Sequence, residues 1–185
     1  LRKNNLNNFE SLGNTTSFRI TKEDLVNDWL TSLFDHRLSY LGLSCRDQKR
    51  GGQASSKESP GEIDFFLCGN NNDRIAIMEA FRLFSNDTTV IDSHLNKVAG
   101  YDQQCLSPVF IIAYCDVNNF LKLCESYNHD CIKREYSGFK KSSSNEHVFM
   151  SVEDTSTVKI YKEIRYRGGK PITFYHFMVN LRFDS

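Results

Sequence analysis

The chain has 185 residues, 39% of them apolar, and its 23 acidic side chains balance 23 basic ones. That apolar content suits one globular domain with a sizeable core. A net charge near zero excludes a globally basic nucleic-acid or membrane-surface binder, so any basic face has to be local. No run of 18 or more apolar residues exists and no signal-peptide pattern precedes the first helix, so a cytoplasmic protein without a membrane span is expected. A first residue of Leu in place of Met points to a fragment or processed form of a larger parent chain.

The six cysteines (Cys45, Cys68, Cys105, Cys115, Cys124 and Cys131) show no CxxC spacing and no partnered histidine pair. Cys68, Cys115 and Cys124 lie inside apolar runs, where a free thiol packs as a small hydrophobe. Reduced structural thiols are expected, since the ligand spacing of a zinc site is missing.

In chain order, residues 1–20 are Asn-rich and aperiodic, a loosely ordered lead-in with one short strand near Phe18–Ile20. Thr21-Lys-Glu-Asp24 has the form of a capping box. Behind it Leu25, Val26, Trp29, Leu30 and Leu33 form one apolar helical stripe ending near His36, and Trp29 and Leu33 are assigned to the core. Tyr40–Cys45 reads as a first strand. Residues 47–60 are charged, small and breaker-rich, hence an exposed loop. Its Lys49, Arg50 and Lys57 are candidates for lining a nucleic-acid groove, against the plainer account of a solvated loop.

Residues 61–83 carry the feature that needs explaining. Glu62–Cys68 and Arg74–Leu83 read as two apolar strands joined by the polar turn Gly69–Asp73, a hairpin. Into it the sequence places Glu62, Asp64 and Glu79. A carboxylate in an interior strand costs several kcal/mol unless it is paired or metal-bound. Glu62 and Asp64, two apart, leave the strand on one face, and with Glu79 opposite three carboxylates would converge. The alternative is structural ion pairing of Asp64 and Glu79 with Arg74, Arg82 or Lys97, and a solvated Glu62.

Asp92–Ala99 reads as a helix of about two turns stopped by Gly100, with His94 and Lys97 on one face. Pro108–Cys115 has the composition of a central strand covered on both sides. Asp116 can cap a helix over Asn118–Ile132 whose buried stripe is Phe120, Leu121, Leu123, Cys124 and Tyr127. Residues 133–146 are basic and serine-rich, expected as a mobile linker in which Lys133, Arg134, Lys140 and Lys141 surround Tyr136 and Phe139. Strands over Val148–Val152, Thr157–Tyr166 and Ile172–Phe183 close the chain, and His176 reads as a core or sheet-edge histidine. The domain map is a lead-in 1–20, a core 21–132, a linker 133–146 and strands 147–185 completing the same domain. The fold class is α/β (α+β): a mixed sheet flanked by helices, with a C-terminal antiparallel strand pair.

The order αβββαβ, with Asp64 in the second core strand and Glu79 fifteen residues later in the third, resembles the PD-(D/E)XK nuclease superfamily over roughly residues 22–132. The resemblance implies a restriction-endonuclease-like core in which Asp64 and Glu79 hold Mg²⁺ or Mn²⁺, to which Glu62, on the same strand face as Asp64, is a candidate further ligand. It also implies a lysine two residues after the glutamate, where this chain has Phe81. Arg82 should face away from Glu79 by strand alternation. Lys97 is the better substitute, because the superfamily is known to move this lysine onto the following helix. The segments GEIDF, EAF and HLNKVAGYD are also similar to uncharacterised bacterial domains, some linked to large antiphage NTPase proteins.

Three functions follow. The first is metal-dependent hydrolysis of DNA or RNA phosphodiesters by Asp64, Glu79 and Lys97, with Lys49, Arg50, Lys57 and His94 binding nucleic acid, as an effector module of a larger bacterial defence protein. The second is a catalytically inactive domain that binds nucleic acid or a protein partner. The third is an interaction domain pairing through an exposed C-terminal hairpin. A homodimer is compatible with each.

Overall fold

The apolar runs of the sequence become the middle strands of one mixed sheet. The computed structural model describes residues 9–11, 18–20, 23–47, 64–141 and 150–182. Strands β1 (Phe9–Ser11) and β2 (Phe18–Ile20) form a separate antiparallel pair. The main sheet contains β3 (Ser44–Asp47), β4 (Phe65–Cys68), β5 (Arg74–Leu83), β6 (Val109–Cys115), β7 (Lys140–Lys141), β8 (Met150–Asp154), β9 (Val158–Arg167) and β10 (Lys170–Asn180). Its order is β3-β4-β5-β6-β10-β9-β7, with β8 also paired to β9. Three helices flank it: α1 (Glu23–Leu38), α2 (Thr88–Tyr101) and α3 (Phe120–Lys133).

Strands β3, β4 and β5 make an antiparallel meander, and α2 then returns the chain to β6, parallel to β5. Successive residues of β5 and β6 alternate between two cores, as a pleated strand requires. Ile77, Phe81, Leu83, Ile111, Ala113 and Cys115 face α2 and α3, where they meet Ile91, Leu95, Val98, Leu123 and Tyr127. Met78, Ala80, Ile112 and Tyr114 face α1 and pack with Val26, Leu30 and Phe34. Helices on both faces explain why β6 reads as an unbroken apolar run.

Several expectations are corrected. Trp29 and Leu33 are 60% and 50% exposed, because the row that seats on the sheet is Val26, Leu30 and Phe34, one position round the helix. Two adjacent apolar rows cannot reveal which of them faces the core. Ser39–Leu41 is a 3₁₀ turn, and the first core strand begins only at Ser44. Gly42 ends that turn at φ +72°, a backbone conformation that favours glycine. Helix α2 starts four residues earlier than expected. Its N-cap is Asp87, which accepts from the amides of Thr89 and Val90. Asn119, not Asp116, caps α3, and Leu121 is exposed.

Residues 134–141 are not a mobile linker. Tyr136 and Phe139 are buried against Phe174, and Lys140 and Lys141 pair with β9. The C-terminal hairpin is not an exposed appendix either. Strand β10 lies between β6 and β9, parallel to the first and antiparallel to the second. Its turn places Gly168 and Gly169 at positive φ, the geometry a two-residue hairpin needs. With β10 inside the sheet, strand addition by that hairpin loses its premise. No described helix is long and apolar enough to cross a membrane.

This assignment of faces predicts a contrast. Leu95→Ala should cost roughly 2–5 kcal/mol in urea unfolding, whereas Trp29→Ala should change stability by less than about 0.5 kcal/mol. The reverse order would place α1 wrongly on the sheet.

Candidate functional site

Glu79 occupies the middle of β5, opposite Ile111 of β6, on the face that looks toward α2. Its side chain is 0% exposed. Alternation fixes this direction, since Ile77 and Phe81 on either side enter the same core. The charge is answered from α2. His94 Nδ1 lies 2.6 Å from Glu79 Oε1, and Lys97 Nζ donates to the same oxygen at 3.2 Å. Glu79 Oε2 is buried with no hydrogen-bond partner among the described residues. The His94 ring stacks on Phe81, centroids 4.7 Å apart and planes at 20°. His94 and Lys97 keep side-chain exposures of 17% and 27%, so the cluster borders solvent at its outer end.

Asp64 immediately precedes β4 and is tied to the residue after Glu79. The Ala80 amide donates to its Oδ2 at 2.8 Å. Asn27 Nδ2 of α1 donates to its Oδ1 at 3.3 Å, and Asn27 in turn accepts from the Tyr114 hydroxyl at 2.8 Å. Asp64 is therefore held from the α1 side of the sheet and Glu79 from the α2 side. Both carboxylates attach to consecutive residues of β5.

The structure brings Glu79, His94 and Lys97 together, but it holds the Asp64 carboxylate on the opposite face of the sheet, so the expected Asp64/Glu79 pair does not converge. Glu62, Lys49, Arg50 and Lys57 lie outside the described residues. Of the three acids expected to converge, Glu62 lies outside the described residues; among the described residues no three His, Cys, Asp or Glu side chains form a group able to hold a metal. Arg82 does point away from Glu79, pairing with Asp116 at 3.1 Å. The spacing of His94 and Lys97 gave their shared face. Their partner across the core was signalled only by a glutamate inside an apolar strand.

A second polar cluster escaped sequence reasoning. On β9 and β10, Glu163, Arg165 and His176 are all buried beneath α3. His176 joins Tyr127 through Nδ1 at 2.8 Å and Glu163 Oε1 through Nε2 at 3.0 Å. Arg165 Nε donates to Glu163 Oε2 at 2.9 Å, and its other nitrogens donate to the carbonyls of Cys131 and Arg134 at the end of α3. Its guanidinium lies 3.7 Å from the Tyr136 ring centroid. The row Glu163/Arg165 sits opposite the aliphatic row Ile160/Ile164 on the same strand, so pattern alone favours burying the wrong side. Burial works to raise the Glu163 carboxyl, but the hydrogen bond and charge of His176, with Arg165, outweigh it and hold it below the usual range. All six cysteines are free thiols, five of them buried. Burial pushes the Cys131 thiol up to about 12, which makes it a packing group and not a nucleophile.

Comparison with protein-family models, with curated proteins and with solved structures finds no match.

The Glu163 cluster carries a pH signature. Its carboxyl is depressed on folding, so the contribution is fully present above the unfolded value of about 4.3 and is lost as pH falls through the lower folded value. Glu163→Gln should cost about 3–5 kcal/mol at pH 7, since it strands a buried Arg165. It should also remove this acid-side loss when urea midpoints are compared between neutral and acidic pH. Equal midpoints for both proteins at pH 7 would contradict it.

Proposed function

We propose that the chain is a metal-dependent nuclease-like domain that hydrolyses phosphodiesters in nucleic acid. One observation carries this reading: Glu79 is a fully buried carboxylate with one oxygen held by Lys97 and His94 and the other without a partner. A protein interior does not keep such an oxygen cheaply unless something else binds it. The element order α1-β3-β4-β5-α2-β6, with the four strands adjacent in that order, supports a restriction-endonuclease-like core.

The donors suit a hard divalent cation in kind, being carboxylate oxygens and not thiolates or imidazoles. In this reading Glu79 would be the carboxylate ligand to Mg²⁺ or Mn²⁺, since Asp64 is held on the opposite, α1 face of the sheet. Such an ion, when bound, lowers the pKa of a water and neutralises charge on the scissile phosphate. Lys97 keeps an ammonium at the solvent edge of the cluster, where it can meet a phosphate oxygen. It thereby takes the part that Phe81 cannot play. The Ala80 amide fixes the Asp64 carboxylate against β5, so both acids are placed by one strand. A role as an effector in a bacterial defence protein rests on the segments GEIDF, EAF and HLNKVAGYD alone.

A binding module without catalysis is the second reading. It draws on the Phe81–His94 stack in the lysine position and on the bonding of Asp64 toward α1.

The two separate by experiment. Millimolar Mn²⁺ or Mg²⁺ should raise the thermal midpoint by mass action, and Glu79→Gln should abolish the rise. Cleavage of plasmid or RNA should stop on adding EDTA. Nucleic-acid binding without any metal response would leave the second reading.

A further inference from the structure

Helix α1 carries two apolar stripes, and the fold uses one of them. Val26, Leu30 and Phe34 seat the helix on the sheet. Beside that row Trp29 is 60% exposed and Leu33 50%, and in the 3₁₀ turn that follows Tyr40 is 79% exposed and Leu41 55%. Trp29 and Leu33 are neighbours one turn apart, and the half-buried Leu25 precedes them at the same spacing. A single exposed leucine is ordinary on a protein surface, whereas a run of large apolar side chains along one side of a helix marks a contact face.

The charge along α1 indicates what covers this face. Glu23, Asp24 and Asp28 lie in the first half of the helix, and His36 and Arg37 in its last turn. The one acid near that end, Asp35, accepts from the Cys45 amide of the same chain. A second α1 laid antiparallel therefore meets opposite charge at both ends, and the two helix dipoles oppose each other. A two-fold interface needs this property, because each contact is made twice with the roles exchanged. Leu33 stands midway between Leu25 and Leu41. An axis beside it sets Leu33 against Leu33 and brings Trp29 of each copy to Arg37 of the other, a guanidinium on an indole face. We propose that α1 pairs antiparallel with α1 of a second copy of this chain, through Trp29 and Leu33, to form a two-fold dimer. The inference is independent of the nuclease reading. One helix pair buries less than a standard interface, so the dimer is a weak one that forms as concentration rises. The stability of the dilute monomer does not depend on it.

Trp29 is the only tryptophan of the chain, so its fluorescence reports on this face alone. The test follows mass by sedimentation and Trp29 emission over one concentration series of the full chain. Mass should rise from one chain to two, and the emission should move to shorter wavelength in step with it. Leu33→Asp should weaken association at least about tenfold. The same change at Leu121, exposed on α3, should leave association unchanged. Arg37→Glu sets like charges together at each end and should weaken association about threefold or more. A parallel pair would not feel that reversal, since each Arg37 would already face its own copy. A chain that stays monomeric would overturn the inference and assign the stripe to a different partner. A dimer that forms without a change in Trp29 emission, or that Leu33→Asp leaves intact, would overturn it by placing the contact elsewhere. Indifference to Arg37→Glu would overturn the antiparallel arrangement.

Discussion

A carboxylate in the middle of a covered sheet is costly to keep, and the arrangement around Glu79 follows from that cost. Strand β5 is central, so its inward residues cannot reach water, and any charge there has to be met from the helix above. The Asp87 cap starts α2 early enough to run over β5, and the apolar row Ile91, Leu95 and Val98 seats it. With that row fixed, His94 and Lys97 fall on the adjoining stripe and reach Oε1 together. Oε2 is left without a hydrogen-bond partner among the described residues, as are the buried Asn128 Oδ1 and Tyr136 Oη.

The Glu163 cluster shows the contrast within the same molecule. Both Glu163 oxygens are bonded, one to His176 and one to Arg165, and the remaining guanidinium nitrogens cap the end of α3. The Glu163, Arg165 and His176 side chains bond one another and the end of α3, and so join β9 and β10 to α3. Residues 134–141 are drawn into the fold by the same cluster, since Tyr136 lies under Arg165 and Phe139 meets Phe174.

Much of this was legible where composition and period agreed. The extent of β5 and the central place of β6 follow from unbroken apolar runs and strand alternation. What was hidden depended on contacts remote in sequence. The stripe of α1 held two apolar rows, and only the sheet decides that Val26, Leu30 and Phe34 face inward while Trp29 stays in solvent. Basic residues around Tyr136 and Phe139 suggested a mobile linker, because nothing local shows that Phe174 and Arg165 will cover those rings. The parallel pairing of β10 with β6 likewise joins segments some sixty residues apart, and no local signal could set it. The third acid expected beside Asp64, Glu62, lies outside the described residues.

The central claim is that Oε2 of Glu79 is kept for a cation. A crystal structure of the chain soaked in Mn²⁺, with anomalous data, tests it most directly. The account predicts an anomalous peak at about 2.0–2.3 Å from that oxygen, the range of hard-cation coordination, with Oε1 still on His94 and Lys97. Density showing Oε2 bonded to another protein donor, with no peak beside it, would contradict the account.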